Sequence, residues 1–288
     1  MHEVQLKSFA KINIGLKVVA QRPDGYHEIE TIFQLIDLSD RIKISLLPQN
    51  EIIIRCSDPR VPIGEQNICY RAAQRLQQAL QINRGVQIDI EKQIPVGSGL
   101  GGGSSNAAAV LGGLARLLQV RLPERQLHSI AAELGADVPY FLSGGTAYGT
   151  GRGDVLQAIS LPFRFQVVLI IPNIEVSSRW AYRNFNFSLT KIKKSIKLSH
   201  LFLNCAGIDF LKHVICNDLE EVVFQQHSLL RCFKEWLYER GAFLAAMSGS
   251  GSAIYGLFEN HEAANEVVTT FPWPFRVVLA QPMITKSC

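Results

Sequence analysis

The sequence predicts an α+β protein, and three observations carry that expectation. Runs of period two and runs of period 3.6 both occur, but helices and strands do not alternate strictly along the chain. The 288 residues are 47% hydrophobic and 19% charged, the balance of an ordinary folded protein. The longest apolar runs, such as Val167 to Ile171, are strand-sized, too short to cross a membrane as a helix. The length suits one large domain or two moderate ones sharing a cleft.

Taken in order, Val4 to Leu16 alternates well enough to predict strands broken by a tight segment. Asp24-Gly25 marks a turn, and strands are expected around Glu30 to Leu35, Arg41 to Leu46 and Glu51 to Cys56. Pro59 and Pro62 mark a loop. A helix follows over about Asn67 to Leu80, where Ile68, Ala72, Leu76 and Ala79 recur at helical spacing. Val86 to Glu91 reads as a strand leading into a glycine-rich loop. The next helix is expected to start at Ser104 or Ser105 and reach about Leu118. Pro123 can open another helix and Gly135 can end it. A boundary near 155–162 divides the chain into 1–158 and 159–288. Beyond it a strand is expected over Phe163 to Pro172, helical periodicity over Leu219 to Glu239, and strands at Ala242 to Met247, Ala253 to Phe258 and Phe275 to Ala280. The 185–204 stretch carries no clear period.

Several functional classes are disfavoured. The net charge of +4 arises partly from Lys191, Lys193, Lys194 and Lys197, which a surface loop explains more simply than an RNA-binding arm. No aromatic ladder interleaves with basic residues, so nucleic acid is a weak partner class. Cys56, Cys69, Cys205, Cys216, Cys232 and Cys288 show no CxxC pair or zinc-finger spacing, and the seven histidines form no HExxH cluster. With no leader pattern at the start, the expectation is reduced cysteines in a soluble cytosolic protein, with no membrane association. The pattern is equally compatible with a monomer or a homodimer.

The strongest chemical signal is the segment from Pro95 to Ala109, Pro-Val-Gly-Ser-Gly-Leu-Gly-Gly-Gly-Ser-Ser-Asn-Ala-Ala-Ala. Five of the seven residues from Gly97 to Gly103 are glycine. They permit backbone angles and close approaches that side chains obstruct, at an entropic cost a plain turn does not require. A helix starting just after them directs its first N–H groups toward an anion. No Asp or Glu occurs from Lys92 through Pro123 to repel one. The segment is neither a Walker A loop, since no Lys-Ser/Thr follows Gly103, nor the usual dinucleotide fingerprint. A glycine-rich turn before a capped helix is the plain alternative.

Together with Ala10-Lys11-Ile12-Asn13 near the start and Met247-Ser248-Gly249-Ser250-Gly251-Ser252-Ala253 near the end, this segment resembles the three signature motifs of the galactokinase–homoserine kinase–mevalonate kinase–phosphomevalonate kinase superfamily. The resemblance covers essentially the whole chain. It implies a ribosomal-protein-S5-like N-terminal domain, a ferredoxin-like C-terminal domain with the active site between them, ATP as phosphoryl donor and Mg2+ beside it. Arg22-Pro23-Asp24-Gly25-Tyr26-His27 and Leu134-Gly135-Ala136-Asp137-Val138-Pro139 narrow it to the branch that phosphorylates the 2-hydroxyl of 4-diphosphocytidyl-2-C-methyl-D-erythritol, in the non-mevalonate route to isoprenoid precursors. Phe9, Ser98 and Ser248 depart from the commoner proline, glycine or alanine, and threonine.

The resemblance implies Asp137 as the group that orients the substrate hydroxyl and receives its proton, with Lys11 beside it; from local sequence alone Asp137 reads sooner as a helix cap or an acceptor for a backbone amide, and Lys11 as an exposed strand lysine. It places Pro95, Gly97, Gly99, Leu100, Gly101, Gly102, Gly103, Ser104, Ser105 and Asn67 on ATP, with Ser104 or Ser105 also near the metal. Asn13, Tyr26, His27, Asp137, Tyr182 and Gly249 fall on the substrate side, Tyr182 as a surface for cytosine to stack on. In isolation these read as a turn asparagine, packed aromatics, a surface histidine and a turn between strands. Other readings are a homoserine or mevalonate kinase, a catalytically silent metabolite sensor on the same fold, and a structural phosphate-binding protein.

Overall fold

Residues Glu3–Gln21 form one unbroken strand, β1, and His27–Leu47 a second, β2. The computed structural model describes residues 2–161, 163–187 and 215–284. The expected breaks in both strands are absent. Gly15, at φ +78°, bends the backbone without ending β1, and the residues between the two expected segments of β2 stay in extended pairing. The turn at Asp24-Gly25 is present, with Gly25 at φ +82°. The lysine group at 191–197 and most of the 185–204 stretch lie outside the described residues, as do Cys205 and Cys288.

The chain forms two compact units, and β1 and β2 contribute to both. The first comprises Met1–Ala10, Leu38–Val96 and Gly101–Ser143. In it β3 (Ile52–Cys56) runs parallel to β4 (Gly85–Glu91), with Ile54 opposite Ile88, and α1 (Ile68–Leu80) makes the crossover a parallel pair requires. The latter half of β2 pairs antiparallel with β4, Arg41 opposite Glu91 and Leu47 opposite Gly85. Asn67 caps α1 by accepting from Cys69 N at 2.7 Å. The helix buries Cys69, Ala72, Ala73 and Leu76 against α2 (Gly102–Leu117). α3 (Glu124–Leu134) begins after Pro123 and ends at Gly135, and α4 (Val138–Ser143) follows directly.

The second unit comprises Lys11–Asp37, Gly97–Leu100 and Gly144–Cys288. The first half of β2 pairs with β5 (Thr146–Thr150), Thr31 opposite Gly149, and β5 pairs with β6 (Val155–Ala158). A separate antiparallel sheet contains β7 (Gln166–Ile171), β8 (Leu244–Met247), β9 (Ile254–Phe258) and β10 (Arg276–Ala280) in the spatial order β10-β7-β9-β8. That order is the ferredoxin-like arrangement expected for this half. α5 (Ser178–Arg183) follows β7. The Leu219 to Glu239 periodicity resolves into α6 (Glu220–Gln226) and α7 (Ser228–Glu239), separated at His227, whose φ of −130° and ψ of 71° are not helical. With α8 (His261–Thr269), they cover a core of Val168, Ile170, Leu230, Phe233, Leu237 and Ile254. Among the described residues no helix is long and apolar enough to cross a membrane. The described cysteines Cys56, Cys69, Cys216 and Cys232 are thiols rather than disulfides, and burial pushes the Cys69 thiol up to about 12.

Candidate active site

Within the second unit, parts of all three glycine and lysine motifs come together. Lys11 lies on β1 and is only 3% exposed, which removes the exposed-lysine reading. A buried ammonium requires compensation. Its Nζ donates to Asn13 Oδ1 and sits 5.6 Å from the centroid of the Phe33 ring. Asn13 Nδ2 donates in turn to Thr31 Oγ1 at 2.9 Å, and Thr31 Oγ1 donates to the Gly15 carbonyl at 2.7 Å. This directed chain turns the Asn13 amide so that its oxygen faces Lys11. The Asn13 carbonyl is held by the buried Tyr255 hydroxyl at 3.0 Å.

The apex of the glycine-rich loop, Gly97–Leu100, is stitched to the same place. Lys11 N donates to Leu100 O at 3.0 Å, and Ala253 N donates to Ser98 O at 3.0 Å. Ser248 Oγ accepts from Asn13 N at 3.3 Å and donates to Gly99 O at 3.0 Å, so one hydroxyl joins the three motifs. Gly99 has φ +76°, and a Cβ there would lie 2.0 Å from Ser248 O. Gly249 has φ +55°, and a Cβ on it would lie 3.1 Å from Asn13 Oδ1 and 3.2 Å from Lys11 Nζ. Both positions combine a left-handed backbone with a close approach, which only glycine accommodates without displacement.

In the first unit, the loop's following helix starts at Gly102 with Gly101 (φ +73°) as its cap, earlier than expected. Neither Ser104 nor Ser105 caps it; both lie in its first turn. The physical reason is that Gly101 takes the left-handed conformation, leaving the two serines to helical geometry. Ser105 is buried, and its Oγ accepts from Ser8 Oγ at 3.1 Å, whereas Ser104 is partly exposed. Asp137 is partly exposed and immediately precedes α4. Its carboxylate, after burial, helps hold the Tyr140 phenol well above its ordinary value. Asn67 is buried with both amide atoms engaged: besides capping α1, its Nδ2 donates to Pro62 O at 2.6 Å.

On the expected substrate side, the His27 ring stacks on Tyr182 with centroids 5.2 Å apart and planes 27° apart. Burial holds the His27 imidazole below its usual value, so at neutral pH it is uncharged and has one donor and one acceptor. Tyr182 is half-buried against the second unit's core while its ring stacks with that of His27. Tyr26 is 54% exposed, with the Arg152 guanidinium 5.1 Å from its ring centroid. Asp154 holds Arg152 at Nε and Nη2, at 3.0 and 2.7 Å.

Several structural partners were not legible in advance. Asp40, a lone acid in a strand pattern, is fully buried and accepts from Gln93 N at 2.7 Å, Ile94 N at 2.8 Å and Asn106 Nδ2 at 2.8 Å, and pairs with Lys92. Thr31 and Asn217 likewise carry no local motif. Among the described residues no group of three or more His, Cys, Asp or Glu side chains is arranged to hold a metal.

Comparison with known proteins places the chain in a family. Residues 67–145 match the family described as GHMP kinases N terminal domain, and residues 198–272 match GHMP kinases C terminal. The chain is 40% identical over 287 residues to the 4-diphosphocytidyl-2-C-methyl-D-erythritol kinase of Pelodictyon phaeoclathratiforme, covering 98% of both chains. It is 41% identical over 278 residues to that of Chlorobium chlorochromatii, covering 95% of this chain and 94% of the relative. A crystal structure of 4-(cytidine 5'-diphospho)-2C-methyl-D-erythritol kinase superposes with a TM-score of 0.78 at 31% identity, covering 97% of this chain and 99% of the other. Homoserine kinase from Cytophaga hutchinsonii, at 19% identity and a TM-score of 0.66 over 100% of this chain and 96% of its own, shares the fold. The chain belongs to the 4-diphosphocytidyl-2-C-methyl-D-erythritol kinase family, within the GHMP kinases.

Proposed function

We infer that this protein transfers the γ-phosphoryl group of ATP to the 2-hydroxyl of 4-diphosphocytidyl-2-C-methyl-D-erythritol, giving the 2-phosphate and ADP. The observation that carries the reading is the meeting of Asn13 and Gly99 through Ser248, with Gly249 packed against Lys11, which family resemblance alone does not require of side-chain geometry. In the transfer, the substrate oxygen forms a new bond to the γ-phosphorus. The bond from that phosphorus to the β,γ-bridging oxygen breaks, and ADP leaves. Asp137 takes the hydroxyl proton. The Lys11 ammonium stabilises negative charge on the transferring group, and the glycine-rich segment from Gly97 through Ser105 cradles the phosphates. Pro95 and Leu100 shape that cradle. Asn67 contributes through the 62–67 turn it fixes, since its own amide is occupied.

Magnesium, when bound with ATP, neutralises phosphate charge. Ser104, partly exposed in the first turn of α2, is the hydroxyl we assign nearest to it, because that of Ser105 is buried against Ser8. Asn13 and Gly249 border the reacting hydroxyl, while Tyr26, His27 and Tyr182 receive the cytidine. In this reading residues 1–158 carry the phosphate loop and 159–288 complete the substrate site.

The test is a matched panel of alcohols with ATP and magnesium, read by product mass spectrometry. The cytidylyl substrate is expected to gain one phosphate at the 2-position, with homoserine and mevalonate reacting poorly. Faster turnover of either small alcohol rejects the assignment.

A further inference from the structure

The segment Asn217-Asp218-Leu219-Glu220, at the entry to α6, has no part in the chemistry above, yet it grips the third glycine loop. Asn217 is 3% exposed. Its Nδ2 donates to Met247 O at 2.8 Å and to Gly249 O at 2.7 Å, while its Oδ1 accepts from Leu219 N at 2.9 Å. Both amide hydrogens therefore end on the carbonyls that flank Ser248. Glu220 Oε1 accepts from Met247 N at 2.8 Å, and its other oxygen accepts from Lys234 Nζ at 2.5 Å. Three backbone atoms at the start of the loop are fixed by two buried side chains.

Those backbone atoms determine where Gly249 lies, and Gly249 packs directly on the Lys11–Asn13 pair. Ser248, held between the two gripped carbonyls, is the hydroxyl that ties Asn13 to Gly99. A neutral amide suits this task because it supplies two N–H donors and an acceptor in one plane. An ionised carboxylate of the same shape supplies no donor and would face two carbonyl oxygens. We propose that Asn217 is a positioning residue for phosphoryl transfer: its amide shapes residues 247–249 into the surface that seats the Lys11 ammonium. The proposal rests on the reading of Lys11 as the cation at the reacting group.

The test uses N217D in the full chain. At pH 8 the introduced carboxylate is expected to lower kcat by roughly 10-fold or more, the scale for losing two buried hydrogen bonds. Directly measured Kd values for ATP and the cytidylyl substrate should stay within about twofold of wild type. As pH falls toward 6, the introduced carboxyl gains a proton and can donate one bond, so the variant's kcat relative to wild type should rise. Taking that ratio removes the titration both proteins share, including Glu220 with Lys234, Asp218 on the same segment, and Lys11 beside Gly249. Asn217→Ser, uncharged and shorter, should lose kcat without the recovery at low pH, and it decides the matter if N217D fails to fold. Folded variants with wild-type kcat overturn the proposal. So does a loss shared equally by kcat and both Kd values and unchanged by pH, which describes a merely structural side chain. Lys11→Met tests the underlying reading separately: an unchanged kcat there removes Lys11, whatever Asn217 does.

Discussion

Replacing Gly99 by alanine probes the junction of the three motifs with one methyl group. The added Cβ would lie 2.0 Å from Ser248 O, 3.0 Å from Ser248 C and 3.1 Å from Gly251 N. All three are backbone atoms, so no flexible side chain can swing aside. Ordinary contact begins near 3.4 Å, which means the loops must separate by roughly 1.4 Å. The φ of +76° adds a left-handed penalty of about 1 kcal/mol for any residue with a Cβ. With overpacking at about 1–3 kcal/mol, the expected destabilisation is about 2–4 kcal/mol. Because Ser248 also anchors Asn13, a displacement on this scale is expected to lower kcat/KM by about 100-fold. Gly112 supplies the control: it is exposed in α2, and a Cβ there meets nothing within 4 Å. Gly112→Ala should raise stability by about 0.5–1 kcal/mol and leave kcat unchanged. Thermal unfolding and steady-state kinetics on both variants decide the matter. A G99A protein with wild-type Tm and kcat/KM would show that the close packing of these loops is not required for activity.

Asp137→Asn preserves size but cannot readily accept the hydroxyl proton, so kcat should fall by about 100-fold or more while both ligands still bind by calorimetry; near-normal kcat in folded protein removes Asp137 as the base. Tyr182→Ala should weaken cytidylyl-substrate binding more than ATP binding, by analogy with base stacking on the order of 1–3 kcal/mol; equal substrate Kd values assign the ring to packing alone. His27 gives a pH signature: its folded pKa lies below the unfolded value of 6.5, so the unfolded chain binds more protons in the window just beneath 6.5. Its contribution to stability is therefore complete above 6.5 and is lost as pH falls toward the folded value. H27Q should flatten that part of the Tm-versus-pH curve, and an unchanged slope assigns the acid sensitivity to other groups.

What the sequence made legible follows the range of the forces involved. α1 was readable because its apolar stripe, its Asn67 cap and the prolines before it agree locally. β8 and β9 were readable because buried strands are short apolar runs bounded by turn residues. The continuity of β1 and β2 was not, because strand length depends on partners far away in sequence. Thr31 to Gln34 are held by β5 and Arg41 to Leu47 by β4, and between them Ile36 bridges Pro282 and Asp37 N donates to Gln281 O at 3.1 Å. α2 begins at Gly102 because Gly101 adopts the cap conformation, a choice that serine's capping preference did not reveal. Asp40 and Asn217 were opaque for a further reason. Each is one ordinary polar residue whose partners lie tens of positions away, and nothing local distinguishes such a residue from a surface side chain.

These two residues address the same physical difficulty. A loop with five glycines in seven positions can approach a polyphosphate closely, but it also loses more backbone entropy on ordering than any other composition. A binding surface of backbone amides is effective only if its N–H groups already point the right way when charge develops. In the first unit, Asp40 takes the N–H groups of Gln93 and Ile94, before the loop, and the Asn106 amide, after it. One carboxylate thus sets both arms. Lys92 neutralises that charge and also donates to Asn106 Oδ1 at 3.2 Å, so the buried acid is satisfied without drawing on the loop's own amides. In the second unit, Ser248 fixes the apex at Gly99, and Asn217 fixes the chain that carries Ser248. Glycine supplies the conformations the loop needs, and buried polar side chains outside it remove the freedom that glycine would otherwise retain.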